Sequence, residues 1–195
     1  MESRYTRTAM LLHWLIALLL LGQFALGWYL EGIPRGVPAR GYFTNLHKST
    51  GLLTGLLILV RLGWRLTHTP PPLPDSVPRW QQQAATASHY LLYVFMVVMP
   101  LSGYIASNFS KFGVDFFNSF KLAPWGSENK LVYSIFNQTH VVSSWLLLAL
   151  VLVHVLAALK HLLMDHDTVF SRMLPPRFSA PRRSTSSFST SNRIG

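Results

Sequence analysis

Residues 138–164 read QTHVVSSWLLLALVLVHVLAALKHLLM. Between His140 and Lys160 the stretch holds no Lys, Arg, Asp or Glu. At 1.5 Å per residue it is long enough to cross the roughly 30 Å hydrocarbon core of a bilayer. Three more stretches of the same kind run about Met10 to Leu30, Leu46 to Leu66, and Ala84 to Ser107. None of these three contains an acid. Backbone groups in lipid must find partners within their own segment or a closed barrel. Period-2 alternation is absent, so barrel strands are disfavoured and helices expected. The expected fold is an all-α membrane protein with four transmembrane helices in an up-and-down bundle.

Composition agrees. Only 12% of the 195 residues are charged and 50% are hydrophobic, whereas a soluble domain carries about 25% charge. The chain has no cysteine. That excludes disulfide scaffolds, thiolate metal sites, Cys-held iron–sulfur clusters, thiol nucleophiles and covalent c-type haem. The net charge of +10 reads as loop charge facing lipid headgroups rather than as a nucleic-acid footprint. Basic residues concentrate at the N-terminus (Arg4, Arg7), in the second connection (Arg61, Arg65, Arg79), and in the C-terminal part from Lys160 to Arg193. The other two connections carry fewer: Arg35, Arg40, Lys48, Lys111, Lys121 and Lys130. The positive-inside rule then places both termini in the cytoplasm. Trp14, Trp28, Tyr29, Trp64, Trp80, Trp125 and Tyr133 fall near span ends, as in an aromatic belt. The first apolar run exceeds a signal-peptide core, so it reads as a retained helix despite Ala25-Leu26-Gly27. Pro34 to Gly41 and Pro70 to Pro74 read as connections, the latter extended. Residues 1–177 form the expected membrane domain. Residues 178–195, rich in Ser and Arg, form an expected disordered cytoplasmic tail.

Eight histidines remain to be explained. His140 and His154 lie fourteen residues apart on the fourth span, hence on nearly one face and about 21 Å apart along the axis. His13 matches the depth of His154 on the inner side, and His47 that of His140 on the outer side. Two facing pairs stacked across the membrane result. A single intramembrane histidine is as readily an interhelical hydrogen bond; four at two matched depths weaken that explanation. Haem b takes two axial imidazoles from opposite sides of a flat ring without covalent attachment, and bundle cores supply them from facing helices. With both axial positions filled, iron transfers electrons rather than binding oxygen. Gly51 and Gly55 sit below His47 on its side of the second helix. They would let a macrocycle approach, although Gly51-x-x-x-Gly55 is also an ordinary close-packing signature. Arg61 and Arg65 serve as positive-inside anchors or as partners of haem propionates. His89 reads as interfacial, with a third-helix ligand or a quinone contact as alternatives. His161 would meet a propionate or headgroups. Met96 and Met99 are expected to pack, and Pro100 with Gly103 to kink the third helix.

The residues resemble the bacterial cytochrome b-561 family, small four-helix di-haem membrane proteins. The similarity spans roughly residues 1–177. It is carried by Tyr5-Thr6-Arg7 with Leu12-His13-Trp14, His47-Lys48-Ser49-Thr50-Gly51, and Val60-Arg61-Leu62 with Trp64-Arg65. It continues through Met99-Pro100-Leu101-Ser102-Gly103, His140 with His154, and Asp167-Thr168 followed by Arg172-Met173-Leu174-Pro175. The resemblance implies two haem b per chain, ligated by His13 with His154 (inner) and His47 with His140 (outer); Gly51 and Arg61 are the candidate haem contacts from their positions on the second helix. It implies residence in the bacterial inner membrane and electron exchange with ubiquinone or another quinone. Some members are assigned superoxide oxidation on the outer side. A similar unit serves as the membrane subunit of formate dehydrogenases and hydrogenases. The Ser/Arg tail and the outer loop at 108–137 depart from the family pattern.

Expected partners are therefore the lipid bilayer and a quinone, with a small outer-side electron donor, a dehydrogenase or hydrogenase partner and a homodimer all open. A histidine-lined proton or metal transporter is the alternative of a different class. It fits poorly, because transporters show carboxylates within spans or broken helices in repeated halves. A purely structural membrane protein would not need histidines at matched depths. No nucleic acid is expected, since the tail's basic residues are few and lack aromatic stacking platforms.

Overall fold

A computed structural model describes residues 4–74 and 76–174. The tail expected at 178–195 lies outside the described residues. Four helices dominate: α1 (Arg7–Gly32), α2 (Pro38–Thr67), α3 (Arg79–Asn108) and α4 (Lys130–Leu163). All four are long and apolar enough to cross a membrane. At 1.5 Å per residue each exceeds the bilayer core, so their ends project into the interfacial layers.

Local signals set the helix starts. Thr6 caps α1 by accepting a hydrogen bond from the Ala9 amide. Asn129 caps α4 by accepting from the Leu131 and Val132 amides. Pro38 opens α2 at a position where the missing N–H costs nothing. Hydropathy alone places these starts too late. α2 begins at Pro38 rather than near Leu46, and α4 at Lys130 rather than near Gln138. Pro100 lies inside α3, which runs as one helix through it.

The helices pack in chain order, α1 on α2, α2 on α3 and α3 on α4, with α3–α4 the most extensive seam. α1 and α4 are not packed backbone against backbone. They meet instead through large rings, Trp28 with Trp145 and His13 with His154. The core is a narrow apolar column of Leu12, Ile16, Leu20, Ile58, Leu92, Met96, Met99 and Leu147. Both methionines pack there as expected. Outward-facing leucines such as Leu11, Leu18, Leu56, Leu152 and Leu156 are exposed, which suits lipid rather than water.

Both ends carry a cover. At the end where the chain begins and the described residues finish (the terminal end), a 3₁₀ turn over Ser171–Met173 folds back beneath the bundle. Its Met173 carbonyl accepts from Trp14 Nε1 at 2.9 Å, and Arg172 donates to the Pro72 carbonyl. At the opposite end, a two-stranded hairpin joins α3 to α4: β1 (Val114–Phe116) and β2 (Phe120–Leu122), antiparallel with Asp115 opposite Lys121. Phe117 and Asn118 take positive φ to make its turn. The sequence reading foresaw no strands in the loop at 108–137. Three-residue strands carry too little alternation to show, and this pair is held by α2 rather than by its own pattern.

Candidate functional site

The site is built on opposed imidazoles. At the hairpin end, His47 of α2 and His140 of α4 have ring centroids 6.1 Å apart, with planes at 86°. At the terminal end, His13 of α1 and His154 of α4 stand 6.3 Å apart at 67°. Imidazoles sharing one metal through bonds of about 2 Å hold their centroids on the order of 6 Å apart. The two pairs joined by sequence depth are thus the two pairs whose spacing suits a shared iron. Leu147, midway between His140 and His154 on α4, is fully buried, as is Ile58 on α2. A dry apolar layer therefore separates the two sites.

His140 is set for ligation. Its Nδ1 lies 2.7 Å from the Met99 carbonyl oxygen of α3. A carbonyl can only accept, so Nδ1 carries the proton and Nε2 keeps its lone pair for a metal. Ser102 Oγ donates to the same carbonyl at 2.9 Å. The ring also fills the space above Gly103: a Cβ there would stand 2.7 Å from Nδ1. Gly103 is thus the floor of His140.

His47 is held differently. A buried glutamine of α1, Gln23, reaches across to α2 and donates to the His47 carbonyl and to Thr50 Oγ1. The next two residues clamp the hairpin. Lys48 Nζ donates to the Gly113 carbonyl at 2.8 Å. Ser49 Oγ donates to the Asp115 carbonyl and accepts from the Phe117 amide. Asn45 adds two further hydrogen bonds to Asp115 and Asn118. His47 Nδ1 is buried and has no hydrogen-bond partner among the described residues. Buried polar atoms of this kind call for a partner, and a bound group would supply one.

The glycines of α2 behave as packing positions. A Cβ on Gly51 would meet the Gln23 amide at 3.8 Å, and one on Gly55 the Pro100 ring at 3.5 Å. The gap at Gly55 admits Pro100 of α3 rather than leaving an open slot.

At the terminal end a third histidine enters. His89 of α3 lies 5.4 Å from His154, centroid to centroid. The interfacial placement expected for it is corrected: eleven residues of α3 lead inward from Arg79 to His89, which brings it to the His13–His154 level. Its spacing to His154 is shorter than that of the two opposed pairs. Arg61 joins this cluster, donating to the Ala9 carbonyl and to Tyr93 Oη, each at 3.3 Å. His161, in the last turn of α4, bonds through Nδ1 to Asp167 at 2.6 Å and approaches Asp165 at 3.2 Å. Lys160 hydrogen-bonds Asp165 and holds its carboxyl below the usual range. His68 stacks on Trp64 at 3.8 Å. Among the described residues, the set of three metal-capable side chains close enough for a bare ion is His161, Asp165 and Asp167, beyond the apolar part of the helices. Each opposed histidine pair instead offers two imidazoles to one shared metal.

A family profile for prokaryotic cytochrome b561 matches residues 4–176. The chain belongs to the prokaryotic cytochrome b561 family. It is similar to cytochrome b561 homolog 2 of Escherichia coli K12, at 31% identity over 179 residues, covering 88% of this chain and 92% of that protein. Cytochrome b561 homolog 1 of the same organism is 25% identical over 90% of this chain and 99% of its own length. Cytochrome b562 of Cereibacter sphaeroides is 27% identical, covering 90% and 98%. As a cytochrome b561 the chain is a multi-pass bacterial membrane protein of electron transport that uses haem b. The residues present fit that group: opposed imidazoles at metal-bridging distance, one in the ligating tautomer, and one buried ring nitrogen without a partner among the described residues.

Proposed function

We propose that this cytochrome b561 is a di-haem, quinone-linked electron carrier. His13 and His154 would hold haem b at the terminal end, and His47 and His140 at the hairpin end. The observation that carries the reading is the matched spacing of the two opposed pairs, 6.3 and 6.1 Å. When bound, haem b supplies a one-electron couple at each site, and two sites about 21 Å apart along α4 make a path across the bilayer.

The chain's own contribution is positioning and exclusion of water. The Met99 carbonyl and Gly103 fix the His140 ring, while Gln23 and Thr50 fix the backbone at His47. Arg61, whose guanidinium lies one helical turn from His13 toward the terminal end, would supply the positive charge for a propionate. Gly51 borders the hairpin-end site through Gln23.

The orientation follows the positive-inside count, with the terminal end in the cytoplasm of a bacterium's inner membrane. The hairpin end then faces outward. Its connections and adjoining helix starts carry Arg35, Arg40, Lys48, Lys111, Lys121 and Lys130 against Glu31, Asp115 and Glu128. That net positive end would draw a small anionic reductant such as superoxide, with ubiquinone taking the electrons. The test is a stopped-flow comparison on the purified, oxidised protein. Ubiquinol should reduce the haem α-band, since the carrier equilibrates with the quinone pool, and superoxide should do so faster than its own dismutation. Reduction by dithionite alone would defeat the quinone link.

A further inference from the structure

Behind Arg61, at the terminal end, lies a small pocket between the first turn of α1 and the last turns of α2. Arg4, Thr6, Arg61, Trp64, Arg65, His68 and Tyr93 line it. Its charged lining among the described residues is entirely basic. Arg61 and Arg65 are one turn apart on α2, so they present one face, and both are half-buried. Arg65 stacks its guanidinium over Tyr93, 5.4 Å from the ring centre. Trp64 Nε1 donates to Thr6 Oγ1, which ties the N-terminus of α1 against the pocket. The amide ends of α1 add their partial positive charge, and the first turn of α1 holds no acid to answer it.

Among the described residues the ion pairs are Lys111–Glu128, Lys160–Asp165 and His161 with Asp165 and Asp167; no arginine takes part. Among the described residues no carboxylate pairs with these two half-buried guanidinium groups, which stand side by side and repel each other near a membrane interior, where an unanswered charge is costly. Arg61 spends two donors on Ala9 and Tyr93 and has others to offer. A propionate of the terminal-end site would answer Arg61, while Arg65 and Arg4 have no carboxylate partner among the described residues and are free to take an anion from elsewhere. The pocket's depth says which kind: it sits where the spans end, with aromatic rings of Trp64 and Tyr5 around it, at headgroup level. Basic pockets between helices at that level suit phosphate headgroups.

We propose that this pocket binds the phosphate of an anionic phospholipid, with Arg65 and Arg4 as its principal contacts and Arg61 shared with the terminal-end site. The site depends on neither the haem count nor the direction in which the chain crosses the membrane. Lipid phosphate bound there would tie α1 to α2 beside His13.

The test uses the full-length, haem-loaded protein in neutral detergent. Thermal unfolding is followed with added phosphatidylglycerol, phosphatidylcholine or inorganic phosphate, for the wild type, Arg65→Gln and Arg65→Lys. Phosphatidylglycerol should raise the melting temperature of the wild type by several degrees and phosphatidylcholine should not. Arg65→Gln should lose at least half of that shift, and Arg65→Lys should keep most of it. Equal protection by inorganic phosphate would support the phosphate site and move its source from lipid to solution. If Arg65→Gln fails to fold, Arg4→Gln at the exposed rim takes its place in the same comparison. A phosphatidylglycerol shift unchanged by the substitution, or matched by phosphatidylcholine, would overturn the proposal. So would loss of haem with the lipid shift intact, because the anion would then be a propionate.

Discussion

The His140 ring occupies the space that any side chain at position 103 would need: a Cβ built on Gly103 comes within 2.7 Å of His140 Nδ1 and 3.0 Å of Cε1. The same nitrogen bonds to the Met99 carbonyl one turn earlier on α3. One turn of α3 therefore sets both the tautomer and the position of a residue on α4. That contact lies in the most extensive helix seam among the described residues.

Gly103→Ala follows directly. The added methyl must push the imidazole away from Met99 or push α3 from α4, because its neighbour is a held ring rather than a free side-chain end. Overpacking of this kind costs about 1–3 kcal/mol. The expected result is loss of the hairpin-end haem with the terminal-end haem retained, so that haem per chain falls by half. Ser102→Ala, which removes only a second donor to the same carbonyl, should keep both.

Gln23 gives a second test. Its amide nitrogen is buried and serves the His47 carbonyl and Thr50 Oγ1. Gln23→Leu leaves both acceptors without that donor, at a cost of about 1–3 kcal/mol for the unmet groups. The full-length protein should melt earlier, and the hairpin-end haem should be lost first on heating. Redox spectra taken through the melt would show the order.

Asp165 offers a pH test at the other end. The hydrogen bond from Lys160 holds its carboxyl below the ordinary range. A group depressed on folding contributes stability above its unfolded pKa and loses it as pH falls through the folded value. Asp165→Asn should therefore lower the melting temperature slightly at pH 7 and make no difference at a pH below the folded value. The difference should be small, since the pair is exposed and salt-screened. Melting curves of the two proteins across that range would check it.

Most of the architecture is legible in the sequence, because lipid leaves long apolar runs no choice but helix. That the His13 ring faces His154 and the His47 ring faces His140 is legible too, since depth in an up-and-down bundle is simply residue count from the span ends. What hides is what depends on a neighbour. Pro38 and Asn129 signal earlier helix starts for α2 and α4, but a hydropathy reading passes over them because polar residues interrupt the apolar run: Arg40, Thr44 and Asn45 in α2, and Ser134, Asn137 and Gln138 in α4. The hairpin at 114–122 exists through Asn45, Lys48 and Ser49 of α2, so no local pattern announces it. Gly103 reads as a kink until the ring above it is seen. His89 reads as interfacial because α3 begins five residues before its apolar run and brings this histidine deeper than the run suggests.

The central claim is that each opposed histidine pair holds its own haem. The direct measurement is haem per chain by pyridine haemochrome, on the wild type, His140→Ala and His154→Ala, each expressed with ample haem. The account predicts two haem b in the wild type and one in each variant. The spectrum lost in His140→Ala should be the one retained in His154→Ala. A single haem in the wild type, or two remaining in either variant, would contradict it.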